Sequence, residues 1–264
     1  MLINVHKILW FVYPHISTGY PQLIHRDFHR RGAYEAGRSA ENDPFGLSRP
    51  GGLHGLHGGM QFSLPFCHNS SLVLSPALPE LSQDDFFAFL KKRQGLLDGV
   101  AITGGEPLLH PDMPELLEKI RALGYAVKLD TNGAFPDRLR TVLESGLADY
   151  VAMDVKNSKE KYELTAGVAG ILPKVEQSIA LLREGKTPFE FRTTLVDELH
   201  EPADFAAIGQ WIAGTERYFI QGFVDSGDIL AGGDAYHAAS PEKAAACLEA
   251  VRAWVPKAQL RGVG

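Results

Sequence analysis

Cysteine is scarce. The 264 residues contain two, Cys67 and Cys247. Two distant thiols make no disulfide framework, so any fold must rest on its core. Positive charge is also short. There are 26 lysines and arginines against 32 aspartates and glutamates, a net charge of -6. That leaves no electrostatic reason to propose a nucleic-acid partner, because phosphate recognition calls for clustered Lys and Arg. No apolar run approaches the roughly 20 residues a membrane-spanning helix needs. The opening MLINVHKILWFVYPHISTGY is apolar in part. It has neither a clean hydrophobic region nor a small-residue cleavage site, and no signal peptide is expected. These absences lead to the expectation of a soluble cytoplasmic protein with no membrane and no nucleic acid among its partners. What is present, 45% hydrophobic residues, is enough to bury a substantial core in one large α/β domain or two small ones.

The first quarter of the chain also lacks periodicity. RDFHRRGAYEAGRSAENDPFGLSRPGGLHGLHGG, residues 26–59, follows neither the helical nor the strand period, and seven of the ten histidines precede residue 69. Residues 1–64 therefore read as an irregular segment and 65–264 as the folded domain.

From Leu81 the text becomes regular. Ser82 opens an amphipathic helix, SQDDFFAFLKKRQGLL, with acidic residues behind its cap. Strands are expected at Gly99–Thr103, Tyr125–Leu129, Tyr150–Val155, Phe189–Val196, Arg217–Phe223 and Ala258–Val263. Between them lie helical stripes: Leu116, Leu117, Ile120 and Leu123 behind Pro114; Leu139, Val142, Leu143 and Leu147; Val175, Ile179 and Leu182; Phe205, Ile208, Trp211 and Ile212. Pro241 opens a last helix carrying Cys247, which falls on its apolar stripe and reads as a buried small hydrophobe. Strand and helix alternate, the pattern of a parallel sheet with crossover helices. Polar clusters recur at strand C-terminal ends: Gly104-Gly105-Glu106, then Asp130-Thr131-Asn132-Gly133, then Asp154-Val155-Lys156. Loops at that end carry the chemistry of (β/α) barrels, so a barrel or part-barrel fits better than an open sheet. Each cluster also has a plain reading. Glycines are common in strand-to-helix turns, Asp130 and Asn132 can cap the next helix, and Asp154 with Lys156 can be a simple ion pair. Arg192, alone among apolar neighbours in a strand, needs an anionic partner.

PFCHN at Pro65–Asn69, then GVAITGGEPLLHPD, VKLDTNG, DYVAMDVK and EFRTTLV, in this order, resemble the radical S-adenosylmethionine (SAM) enzymes. Within them the likeness is to the activating proteins of anaerobic ribonucleoside-triphosphate reductase, among the glycyl-radical activases. The resemblance runs from about Pro65 to the C-terminus. It implies a partial (β/α) barrel, a [4Fe–4S] cluster on a CxxxCxxC loop, and SAM on the cluster's open iron. It further implies reductive cleavage of SAM to a deoxyadenosyl radical that takes a hydrogen from a glycine of the partner. That partner would be anaerobic ribonucleoside-triphosphate reductase or another glycyl-radical enzyme, with flavodoxin or ferredoxin as electron donor. On the same resemblance Gly104 and Gly105 let backbone approach the methionine moiety and Glu106 accepts from its ammonium. Asp130, Asn132 and Lys156 contact SAM, Arg192 meets its carboxylate, Phe66 lies beside the adenine, and Cys67 is a cluster ligand.

The loop departs from that pattern at two of three positions. CxxxCxxC falls on Met60, Leu64 and Cys67, and thioether and alkyl groups do not replace thiolates on an iron–sulfur cluster. The genetic code offers a reason. Met60 to Pro65 can be written ATG CAA TTT TCG CTG CCC. Read one base later, the same bases give TGC AAT TTT CGC TGC, which is C-N-F-R-C. The same shift permits F-T-G-G at 56–59 and D-Y-P-G-R-V-A at 46–52, segments typical of the family upstream of its cluster loop. Residues before about Pro65 are therefore expected to be an out-of-frame translation of an activase N-terminus, with the first barrel strand lost and a sheet edge left uncovered. A zinc site from His54, His57, Cys67 and His68 is a third reading. Glycine-rich surroundings favour accidental histidines there.

Overall fold

The strands expected from the apolar runs are present and form one sheet. The computed structural model describes residues 8–13 (backbone only), 83–224 and 235–262. In chain order these form β1 (Ile8–Tyr13), α1 (Gln83–Lys92), β2 (Gly99–Gly104), a 3-10 turn (Pro107–Leu109), α2 (Met113–Ala122) and β3 (Ala126–Thr131). There follow α3 (Pro136–Glu144), β4 (Tyr150–Asp154), a second 3-10 turn (Lys159–Lys161), α4 (Tyr162–Ala166), α5 (Leu172–Glu184) and β5 (Phe189–Leu195). The last elements are α6 (Pro202–Trp211), β6 (Tyr218–Gly222), α7 (Pro241–Arg252) and β7 (Gln259–Arg261). Met60, Leu64, Phe66, Cys67 and the boundary between residues 64 and 65 lie outside the described residues.

Spatial order follows sequence order, β1 to β7, and β2 to β7 pair in parallel. Parallel neighbours joined in sequence favour right-handed crossovers, which put connecting helices on one face, and the buried side chains of the described helices accordingly share one core. β1 and β7 are the two ends of the sheet, which is thus an open part-barrel. β1 differs from the expectation. Within the segment read as irregular, ILWFVY forms a strand, antiparallel to β2 and paired with it from Ile8↔Gly104 to Tyr13↔Gly99. The edge expected to be uncovered is therefore paired. Aromatic and β-branched residues favour a pleated strand, and a run of six is too short to show in the periodicity of the whole segment.

Side chains alternate across each strand, and the two faces differ in kind. Val100, Ile102, Val127, Leu129, Val151, Met153, Phe191, Leu195 and Ile220 point to the helices. They share one core with Leu116, Leu117 and Ile120 of α2, Leu139 and Val142 of α3, Val175, Ile179 and Leu182 of α5, and Phe205 and Ile208 of α6. Burying each such side chain contributes about 1.5–3 kcal/mol. Cys247 of α7 belongs to this core and is fully buried, and burial pushes its thiol up to about 11. The opposite face carries Lys128, Asp130, Tyr150, Asp154, Glu190, Arg192, Phe219 and Arg261, aligned by register such as Asp154↔Arg192 and Arg192↔Phe219. An apolar face against helices and a charged face turned inward is what makes the inner surface of the part-barrel a site.

Candidate cofactor site at the strand C-terminal ends

Glu106 follows Gly105 directly after β2, 2% exposed. Three donors converge on it. The backbone N–H of Leu108 (3.1 Å) and the Thr131 hydroxyl (2.8 Å) donate to Oε1, and the backbone N–H of Asn132 (2.6 Å) donates to Oε2. Burial raises the carboxyl from its ordinary 4.5 to about 7, against the pull of those donors, and the Asp154 carboxylate adds to the rise. Glu106 thus holds the turn after β2 to the turn after β3.

The second turn is tightly constructed. Asn132 Oδ1 accepts from Ala134 N–H at 2.9 Å, closing an Asx turn. Gly133 has φ 77°, and a Cβ there would stand 2.2 Å from Met153 Cε, so both the backbone angle and the space require glycine. Ser178 of α5 donates to the Gly133 carbonyl at 2.8 Å. Neither Asp130 nor Asn132 caps α3, whose N-cap position is Phe135.

Across β3, β4 and β5 runs a ladder of alternating charge. Lys128 Nζ meets Asp130 Oδ1 at 2.7 Å, and Asp130 Oδ2 meets Arg192 Nη1 at 3.2 Å. Arg192 Nε and Nη2 both reach Asp154 Oδ1 at 2.9 Å, and Asp154 Oδ2 meets Lys156 Nζ at 2.8 Å. Burial alone would raise Asp154, but Arg192 and Lys156 outweigh it and bring the carboxyl from 3.8 to about 2. Asp130 is held below its ordinary value against burial by Arg192 and Lys128. Burial opposes the charge of Arg192, and Asp130 and Asp154 secure it. The partners that Arg192 demanded are therefore two aspartates of neighbouring strands. The three bonds leave two of its five N–H donors for a ligand.

The turns after β4 and β5 are locked by buried polar groups. His200 Nε2 lies 2.9 Å from the Lys156 carbonyl while its Nδ1 accepts from Val196 N–H at 3.1 Å. Asn157 Nδ2 donates to Thr165 Oγ1 and to the Leu199 carbonyl. Asp204 accepts from Lys161 Nζ and from Glu201 N–H, the latter within a capping box at the start of α6. Desolvation keeps His200 below its ordinary pKa.

The structure thus brings together Gly104, Gly105, Glu106, Asp130, Asn132, Lys156 and Arg192 toward one end of the sheet, on β2, β3, β5 and the turns after β2, β3 and β4. Sequence reasoning missed Lys128, Thr131 and His200. Lys128 had a signal, standing two residues before Asp130 and hence on the same face. Thr131 and His200 had none, since their partners are distant in the chain. Phe66 and Cys67 lie outside the described residues, as do His54, His57 and His68 of the zinc reading. Among the described residues no three of His, Cys, Asp and Glu are grouped to hold a metal, and no helix is long and apolar enough to cross a membrane.

A model of the radical SAM superfamily matches residues 65–203, more than half of the chain. The Methanocaldococcus jannaschii protein MJ1227, whose name provisionally assigns it to the glycyl-radical enzyme activating enzymes, is 30% identical over 174 residues, 62% of this chain and 70% of that one. A 7-carboxy-7-deazaguanine synthase of Methanopyrus kandleri is 48% identical over 59 residues, 22% of this chain and 23% of the enzyme. In fold the chain is similar to Streptococcus suis SuiB bound to S-adenosylmethionine, with TM-score 0.60 and 12% identity over 77% of this chain and 48% of SuiB. The family's cofactors are a [4Fe–4S] cluster and SAM. The turns just described suit SAM, being glycine-lined, fixed by buried bonds and flanked by paired charges. The sulfur donors do not suit the cluster, because the whole chain has two cysteines and one of them, Cys247, is buried on the helix face of the sheet. The chain belongs to the radical SAM superfamily.

Proposed function

We propose that this chain, from about residue 65 onward, is the barrel of a glycyl-radical activase of the anaerobic ribonucleoside-triphosphate reductase kind, able to hold SAM but unable as written to hold its cluster. The observation that carries the reading is the buried join of the Glu106 and Asn132 turns beside a charge ladder already assembled. In this arrangement the Gly104-Gly105 backbone and Glu106 face the methionine ammonium, Asp130 and Asn132 bound the pocket from β3, and the free donors of Arg192, with Lys156, meet the carboxylate. SAM supplies a deoxyadenosyl group when it is reductively cleaved. A glycyl-radical enzyme as partner, with flavodoxin or ferredoxin as donor, follows from the likeness to the M. jannaschii protein and to the activases.

The missing thiolates at positions 60 and 64 are explained by a shifted reading frame upstream of Pro65. Genomic DNA sequenced across the Met60 to Cys67 codons should spell a cysteine-containing loop in the adjacent frame. Bases that spell none would remove the explanation. A second reading is favoured by the single loop cysteine itself: a non-catalytic relative that uses the barrel to bind SAM or a partner protein. An intact cysteine loop in the genomic reading frame would exclude it.

A further inference from the structure

The turns after β2 and β3 are joined at two points by groups of opposite charge. Glu106 is one. The other is Arg138, in the first turn of α3, whose Nη1 donates to the carbonyls of both Leu108 and Leu109, with its guanidinium 5.0 Å from the Phe135 ring centroid. The carboxylate takes donors at the entrance to the 3-10 turn, and the guanidinium takes acceptors at its exit. Nothing else described ties the Asn132 amide. Its side-chain Oδ1 accepts from Ala134 N–H, and a Cβ on Gly133 would meet Met153 and Ser178.

We propose that Glu106 and Arg138 are positioning residues that make the turns after β2 and β3 one rigid cradle. Two of the three partners of Glu106 are backbone N–H groups, which can only donate, so two carboxyl oxygens serve them where an amide side chain offers one acceptor. The Asp154 carboxylate of β4 acts on the same group. The cradle serves SAM only if the reading above is right, so the experiment separates the two.

Hydrogen exchange of residues 130–134 and titration with SAM are measured on the full chain and its variants. Glu106→Gln leaves one acceptor oxygen for backbone N–H groups that two oxygens serve, Leu108 at Oε1 and Asn132 at Oε2. Exchange there, corrected for intrinsic rate, should quicken tenfold or more at pH 8, and SAM affinity should fall by a similar factor. Because burial raises the Glu106 carboxyl in the closed cradle, lowering the pH through 7 should slow the corrected exchange in the natural chain and leave the glutamine variant unchanged. Thr131→Val should give a smaller effect that Thr131→Ser restores. Arg138→Ala should weaken SAM binding several-fold, with partial rescue by Arg138→Lys. Unchanged exchange in Glu106→Gln overturns the inference whatever happens to SAM affinity, since Glu106 also faces the ammonium in the reading above. If the natural chain binds no SAM, the functional reading fails while exchange still decides the cradle. Should Glu106→Gln not fold, Thr131→Val decides it at the Asn132 amide alone, because Thr131 Oγ1 also accepts from Gly133 N–H: quicker exchange at Asn132 supports the cradle and unchanged exchange there overturns it.

Discussion

A buried carboxyl near pH 7 makes Glu106 a measurable contributor to stability. Its folded pKa, about 7, lies above the ordinary 4.5, so its contribution favours the fold at low pH and is lost as pH rises through 7. The difference corresponds to about 3 kcal/mol. Glu106→Gln should flatten that part of the pH–stability curve between about 4.5 and 7, as read by urea denaturation. A slope identical to the natural chain's would contradict the burial. Asp154 has the opposite sign. Its pKa is depressed to about 2, and its contribution of about 2 kcal/mol is present above pH 4 and lost as pH falls through 2. Arg192 is the shared cation of the ladder. Arg192→Met leaves Asp130 and Asp154 buried without it, and should lower stability by about 3–5 kcal/mol, seen as a large fall in Tm. A change under about 1 kcal/mol would mean that the ladder is solvated.

At the scale of elements, the strands were legible because each apolar run sits between turn residues, and the helices because their apolar stripes recur at helical spacing. Most boundaries agree to within one or two residues. The β3 strand runs to Thr131, so Asp130 and Thr131, expected in a loop, belong to the strand that aims them. The short α4 and β1 were not foreseen. α4 is too brief for a period to register, and β1 lies in text whose irregularity hid six strand-forming residues. The turn after β3 depends on Gly133. Gly133→Ala adds a methyl that meets Met153 and strains a backbone at φ 77°. It should cost about 2–3 kcal/mol by denaturant melt, and Met153→Ala in the same chain should recover part of that loss. No loss in the single variant would show that the turn relaxes. For the candidate site, the residue types were legible while their partners were not. Arg192 announced that it needed an anion, but that the anions are Asp130 and Asp154 follows only from the register of three strands.

The whole molecule combines a sheet that presents a formed, charged inner face with a sequence that supplies one cysteine at three cluster positions. The first property comes from cooperative packing across the described strands and helices and tolerates local change. The second depends on three atoms at fixed spacing, and no packing compensates for their loss. Anaerobic reconstitution of the full chain with iron and sulfide, followed by the thiolate-to-iron absorbance, is the most direct measurement of that contrast. The chain as written should bind no stable four-iron cluster, and the Met60→Cys/Leu64→Cys chain should bind one. A stable cluster on the chain as written would contradict the account.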